Sequence, residues 1–485
     1  MKKKLIVGAV CFLFAGGLGF LGLKLFREGG FFAKGEVLFS DDFPEADAEK
    51  IRGLIPEDFK LKNDVKISYS FSEKSKDAGF LVDVLVPTTD FYDTRNSLSE
   101  AEFLELVKNN DSSVISIREL DSSRKLLAVG ENYYLDSFNS GAEFKYLDVE
   151  SDREEDAQAV VDVLTPEFSK PNMVPSSATT LSFVQTGVTA LAREMNAKLE
   201  EVGDAGYFSA GVSSFVSRFD LVHTSNESSF SEMASKENIC SDPRFIGTLT
   251  GMSLDIVELT GNHNVDCGEE DAITTVEVYE ANGIKIVGGG RDFSEAREAL
   301  KINQKSNNIT MLAYNQSTGG ATTGDAPGAN PYSEEDARTR ILEAKERGDS
   351  VIVDIQYFEC SEYANEGEDT TCDYANSSAG DQIGLFRSLI DMGADVVVGT
   401  SAHQPQTFEK YNNGEIYYGL GNLFFDQYYW PGTTRSLGLV HYFWNNKLIQ
   451  TRRFGTVYDS ALQTRIMSEE EEASFIERLN NARPN

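Results

Sequence analysis

Four histidines serve a chain of 485 residues, and two of them stand beside glycine or proline turns, where an imidazole is poorly placed to fill a core. His263 lies in Glu258-Leu259-Thr260-Gly261-Asn262-His263-Asn264-Val265-Asp266, and His403 in Ala402-His403-Gln404-Pro405-Gln406. An imidazole can carry a proton near neutral pH or donate a ring nitrogen to a metal. Ser225-Asn226-Glu227 brings a carboxylate with the same capacities, and Gln356-Tyr357 and Gly419-Leu420-Gly421-Asn422-Leu423-Phe424-Phe425-Asp426-Gln427 add amides and aromatics. Several of these residues have two readings. Asp266 serves as a ligand or as the N-cap of a helix opening at Gly268-Glu269-Glu270. Asn262 and Gln356 serve as ligands or as buried amides that satisfy loop carbonyls. His223 stands between a site role and a structural one, whereas His441, inside the apolar run 437–444, reads as structural.

The elements that position these motifs follow one pattern: short apolar runs, each ending in polar residues. Runs at 179–184, 220–223, 254–259, 284–287, 309–313, 351–355 and 395–398 read as strands, the first followed by a helix through Lys198. Continuous β-branched strands are buried on both faces, as in a sheet covered by helices. Ligands of such folds sit at the carboxyl ends of the strands, where the motifs cluster. Residues 436–455 read as an antiparallel hairpin turning at Asn445-Asn446, and 468–479 as an acidic terminal helix. Gly288-Gly289-Gly290 reads as a turn, and this series of strands carries no GxGxxG or Walker loop. Ahead of this series, strands at 65–71, 79–86 and 113–117 and a helix capped by Ser97 and running to Lys108 predict a smaller α/β domain. The proline-rich segment 165–177 reads as the linker.

The five motifs, in order and at comparable spacing over residues 179–455, resemble the CapA family, the capsule or poly-gamma-glutamate synthesis family of the calcineurin-like metallophosphoesterase superfamily. That resemblance implies a four-layer αββα core over residues 178–460. It also implies a site in which Glu227 and His263 act catalytically and His223, Asn226, Asn422 and Gln404 contact the substrate. Asn262, His263, Asp266, Gln356 and His403 would then hold one divalent ion, zinc or manganese. The chain departs from the superfamily's two-metal pattern: Gln185-Thr186-Gly187 stands where the first strand usually offers an Asp, Gln356 replaces a lone His, and only His403 remains of a histidine pair. Residues 85–92, 119–121 and 125–129 resemble part of a periplasmic substrate-binding-like domain, expected over residues 36–170.

Composition sets the surroundings. A net charge of −34 repels polyanions and argues against nucleic acid as a partner. Three lysines precede an uncharged run, residues 5–23, which as a helix spans roughly 28 Å, enough for a bilayer core. Residues 1–30 are therefore expected to anchor the chain in the cell membrane as a single pass, with the N-terminus cytoplasmic and the main domains outside. Residues 461–485 form the expected acidic tail. Besides Cys11, four cysteines, Cys240, Cys267, Cys360 and Cys372, permit two bridges in an oxidising compartment, of which Cys360 with Cys372 is the most local. Three function classes follow: an accessory to synthesis or export of an anionic envelope polymer, with that polymer or its membrane machinery as partner; a metal-dependent hydrolase with a reduced site; and a non-catalytic ligand-binding protein.

Overall fold

A computed structural model describes residues 35–73, 79–170, 173–316, 319–357 and 381–483. The expected anchor at residues 1–30 and the Cys360 and Cys372 pair lie outside the described residues. Among the described residues, no helix is long and apolar enough to cross a membrane.

The chain divides into two units, one built from described residues up to Thr88, Asn96–Leu120 and Leu127–Ser177, the other from Thr89–Arg95, Asp121–Leu126 and Ala178 onward. In the first, strands Val37–Phe39, Val65–Ser72, Glu143–Ser151, Phe80–Asp90 and Val114–Ser116 lie side by side in that order. Helices Glu45–Leu54 and Glu154–Phe168 turn Ala48, Ile51, Val160 and Leu164 onto Val65, Ile67, Phe80 and Leu147. The helix Glu100–Lys108 is capped by Ser99, not by Ser97. Ser99 and Glu102 form a reciprocal capping box, while Ser97, which also has a glutamate three residues on in Glu100, is held in the short strand Ser97–Leu98 that pairs with Ala128 and Val129. The expected linker also begins later than its prolines indicate, because Thr165 and Pro166 finish the helix Glu154–Phe168. A proline in a last turn forfeits only one hydrogen bond.

In the second unit, β1 (Thr180–Thr189), β2 (Leu221–Asn226), β3 (Ile256–Glu258) and β4 (Lys285–Val287) run parallel as neighbours. The chain then builds a second sheet from β5 (Leu300–Gln304), β6 (Asn307–Asn315), β7 (Ser350–Gln356), β8 (Val396–Thr400), β9 (Phe408–Tyr411) and β10 (Gly414–Tyr417), in the order β5-β6-β7-β8-β10-β9. It returns to the first sheet with β11 (Asn422–Phe424), β12 (Arg435–Trp444), β13 (Lys447–Val457) and β14 (Arg465–Ile466), and β12 pairs antiparallel with β1. The hairpin β12–β13 turns at Asn445 and Asn446, both with left-handed φ, a conformation that asparagine tolerates.

The strands alternate, one face to each neighbour layer. Leu181, Phe183, Leu221 and Ile256 of the first sheet meet Met311, Ile352, Val396 and Val398 of the second in one core. The intervening residues Val351, Val353, Ile355 and Val397 face helices on the other side instead, through Ile341, Phe386 and Leu389. Helices on this unit's described residues include α1 (Ala210–Val216), α2 (Glu269–Ala281), α3 (Glu334–Glu346), α4 (Gln382–Met392) and α5 (Glu469–Asn481). α1 places Phe215 on Phe454, ring centroids 4.8 Å apart, on the outer side of the first sheet, while Phe475, Ile476 and Leu479 of α5 join the core between the sheets. The layers are therefore helix, sheet, sheet, helix. Strands buried on both faces are present as expected, but a second sheet covers one face of each. Residues 89–95 and 121–126 belong here as well: the Tyr92 ring stacks on Phe408 at 6.2 Å, and Arg453 lies over Phe91 at 4.6 Å.

Gly438 on β12 sits directly opposite Phe454 on β13, and a Cβ at this glycine would overlap the Phe454 ring. The ring lies flat over the bare backbone. Gly438→Ala is therefore expected to destabilise the protein by about 1–3 kcal/mol, as overpacking does. Combining it with Phe454→Leu should recover part of the loss in urea denaturation, whereas equal loss in single and double variants would show that the ring is not the obstacle.

Candidate functional site

The space between the two sheets changes character along the strands. On β1 the inward residues read Leu181, Phe183, Gln185; on β2 Leu221, His223, Ser225; on β3 Ile256, Glu258; on β7 Ile352, Asp354, Gln356. Apolar residues fill the amino end and polar ones the carboxyl end. His223, Glu227, Glu258, Asp354, Glu415 and His441 are fully buried. A directed chain of hydrogen bonds reaches Asp354 across the layers. His441 meets Thr451 Oγ1 with Nδ1 at 2.8 Å and Gln185 Oε1 with Nε2 at 3.2 Å. Gln185 Nε2 donates to Asp354 Oδ1 at 2.6 Å, and His223 Nε2 lies 3.3 Å from Asp354 Oδ2. Since Gln185 spends its amide N–H on the carboxylate, its carbonyl accepts from His441 Nε2–H, and Nδ1 of His441 then accepts from the threonine hydroxyl.

At the rim, both sheets contribute. Gln356 Nε2 donates to Asn262 Oδ1 at 2.9 Å, and Asn315 Nδ2 donates to the Thr260 carbonyl at 2.6 Å, so the loop after β3 is fastened to the ends of β6 and β7. Glu227, after β2, approaches His403, after β8, with Oε2 3.8 Å from Nε2. Asn422 orients that imidazole. Its Nδ2 is committed to the Thr433 carbonyl at 3.1 Å and Gln427 Oε1 at 3.2 Å, so its Oδ1 accepts from His403 Nδ1–H at 2.8 Å. The ring nitrogen left facing Glu227 is thus Nε2, at a separation longer than a hydrogen bond. Gly261 lets the β3 loop lie against this group: a Cβ there would stand 2.6 Å from the Glu227 Cα.

The remaining expected residues are placed as follows. His263 Nδ1 pairs with Asp266 Oδ2 at 2.7 Å, with both side chains partly in solvent. Asp266 is not the N-cap of α2, a place that Gly268 takes. Asn226 is buried and donates to the Ser228 carbonyl at 2.8 Å. Gln404 is half-buried beneath Gly432, where a Cβ would collide with its Oε1. His223 does not reach the rim; it belongs to the interior chain through Asp354. The five donors expected to share one zinc or manganese ion are thus divided into an Asn262–Gln356 pair, a His263–Asp266 pair, and His403 with Asn422. Among the described residues, no three His, Cys, Asp or Glu side chains gather into a group able to hold a metal ion. The residues present do not fit that cofactor, because Asn262 and Gln356 bond to each other and His263 and His403 stand in separate pairs, so no common ligand set forms among the described residues.

Sequence reasoning passed over Glu258, Asp354 and the role of Gln185. The signal was available: an acid inside an otherwise apolar strand, Val351-Ile352-Val353-Asp354-Ile355, costs too much to bury without a purpose. Burial, then the charge of Asp354 and to a lesser degree that of Glu227, push the Glu258 carboxyl up to about 8, against the restraining bonds from Ser225 and the Thr260 N–H. Burial and then His223 hold His441 down to about 3, so it is neutral. One bridge is present among the described cysteines, Cys240–Cys267, and it joins the loop after β2 to the loop after β3.

A two-sheet α/β unit with a hydrogen-bonding rim at its strand carboxyl ends is the class that fold and site define. The family described as bacterial capsule synthesis protein PGA_cap matches residues 182–427. The chain belongs to that family. It is 30% identical over 201 residues to the PGA biosynthesis protein CapA of Bacillus subtilis, covering 41% of this chain and 49% of that protein. It is 27% identical over 193 residues to the capsule biosynthesis protein CapA of Bacillus anthracis, covering 39% and 43%. The chain therefore spans about half the length of the curated relatives it matches. Among solved structures, TT1561 of Thermus thermophilus superposes with a TM-score of 0.30 and 11% identity over 57% of this chain and 98% of that one.

Two outcomes follow from this geometry. Between about pH 4.5 and 8 the folded protein keeps a proton on Glu258 that the unfolded chain has released, so this contribution to stability is complete below that window and is lost as pH rises through it. Glu258→Gln cannot titrate; relative to the wild type it should gain stability from pH 5 to pH 8, by on the order of a few kcal/mol. A pH-independent difference in melting would refute this. For the bridge, with its sequence separation of 27, loop entropy gives about 3.5 kcal/mol. Replacing both Cys240 and Cys267 with Ala should lower stability by that order without changing the fold, and free thiols in the native protein under non-reducing mass mapping would contradict it.

Proposed function

We propose that this chain is a membrane-anchored, extracytoplasmic protein acting in the synthesis or export of an anionic cell-envelope polymer such as poly-gamma-glutamate. One observation carries the reading: the segment matched by the capsule-synthesis family, residues 182–427, is the segment whose strand ends assemble Glu227, His403 and Asn422 into a single rim. The names of the relatives, PGA and capsule biosynthesis proteins, support the polymer. The apolar run at residues 5–23 behind three lysines supports the anchor and the orientation. At the rim, Glu227 and His403 act as an acid–base pair on the polymer or its carrier, Asn422 fixes the imidazole, and Asn226, Gln404 and the exposed His263 stand along the path of the ligand. Partners are the polymer and the membrane machinery that makes or moves it. A metal-dependent hydrolysis is the weaker reading, since the donors it needs are divided among separate pairs.

The test is made in cells that make the polymer through this chain. Glu227→Gln and His403→Ala should each reduce cell-associated polymer at least tenfold, while the variant chain remains in the carbonate-resistant membrane fraction. Unchanged polymer with either variant would overturn the assignment of the rim, and a full-length chain recovered in the soluble fraction would overturn the anchor.

A further inference from the structure

Arg193 ends the turn after β1 and precedes the helix Glu194–Val202. Its backbone has φ 54° and ψ −116°, a region a residue with a Cβ enters only under strain and which structures retain where position matters. The side chain explains what is held. Arg193 Nε and Nη2 reach the two oxygens of the buried Asp426 carboxylate at 3.1 and 2.5 Å, and the Glu194 N–H donates to the same carboxylate at 3.2 Å. The guanidinium lies over the Phe425 ring, 4.6 Å from its centroid, and that ring is 5.0 Å from the His403 imidazole. A planar fork is thus fixed on one edge and one face beside the pair of Glu227 and His403. Its other edge is not used: Nη1 has no partner among the described residues, and the side chain is 37% exposed while Asp426 is only 8% exposed.

We propose that Arg193 is the anion-recognition residue of this site, presenting the Nη1 edge of its guanidinium to a carboxylate or phosphate oxygen of the bound ligand. The inference rests on the reading of the rim as a polymer site. An arginine held by Asp426 costs little entropy when it binds, because its fork is oriented beforehand. The contact also resolves the conflict between a chain of net charge −34 and an anionic ligand: attraction is supplied locally, by directed N–H donors, where the long-range field repels.

The experiment measures binding of two probes, a fluorescent gamma-linked glutamate oligomer and inorganic phosphate, to the full-length chain in detergent, for the wild type, Arg193→Lys and Arg193→Gln. Both variants leave the buried Asp426 carboxylate without its fork and should melt below the wild type while remaining folded, and both should weaken oligomer binding at least tenfold, lysine less than glutamine. Oligomer binding that is unchanged in Arg193→Gln overturns the role of Arg193 and leaves the polymer reading standing. Arg193-dependent binding of phosphate with no binding of the oligomer does the reverse. Binding of neither probe to the wild type overturns both. Should the variants fail to fold, phenylglyoxal labelling of the wild type decides: the oligomer or phosphate should protect Arg193 at least fivefold as read by mass mapping, and equal labelling with and without probes overturns the proposal.

Discussion

Two sheets pressed face to face share a filling that turns from hydrocarbon to ionisable groups along the strand direction, and the rim exists because of that gradient. Leu181, Phe183, Ile256, Ile352 and Val396 hold the sheets together at one end. Only with that end fixed can His223, Asp354 and Glu258 be kept in register at the other. Burying such groups is costly unless each is paired or neutral. The molecule uses both solutions. The Thr451–His441–Gln185–Asp354 chain delivers one amide N–H to the Asp354 carboxylate, and Glu258 stays neutral by keeping its proton. A carboxylate deprotonated at that place would face Asp354 with no cation to balance it.

Much of the second unit was legible because its strands are short apolar runs ending in polar residues. His403 at the end of such a run and Asn262 after another stand at the strand ends that converge. What was not legible depends on partners far apart in the chain. Gln185 looks in sequence like a missing aspartate, yet it is the joint between His441, 256 residues away, and Asp354, 169 away. No local pattern encodes that. Ser99 against Ser97 was a smaller matter of the same kind: each serine has a glutamate three residues on, and the pairing of Ser97 and Leu98 with Ala128 and Val129 decides between them. The division of the expected ion ligands into separate pairs could not be read either, since spacing places residues at one rim without saying which of them spend their lone pairs on each other. Arg193 escaped notice because a lone arginine after a strand carries no signal until its φ and its carboxylate partner are known.

The rim draws on both sheets in a way that limits how far its parts can be altered separately. Asn422 and Asp426 come from the return of the chain to the first sheet, and each fixes a side chain supplied elsewhere: His403 from the end of the second sheet, Arg193 from the turn after the first strand. The Cys240–Cys267 bridge adds a covalent tie between two further loops. Side chains at this rim thus take their orientation from residues supplied by other parts of the chain.

That return has a consequence for what counts as a self-sufficient piece of this protein. The family match ends at residue 427, before β12, yet β12 pairs with β1 from Thr180 to Gln185, while β11 covers β1 only near Val188 and Thr189. A fragment cut to the matched span would leave most of one side of a central strand with open N–H and C=O groups, the kind of edge that recruits another chain. The recognisable part of the sequence and the part that folds without aggregating are therefore different lengths, and a boundary drawn from similarity alone would fall in the middle of a sheet.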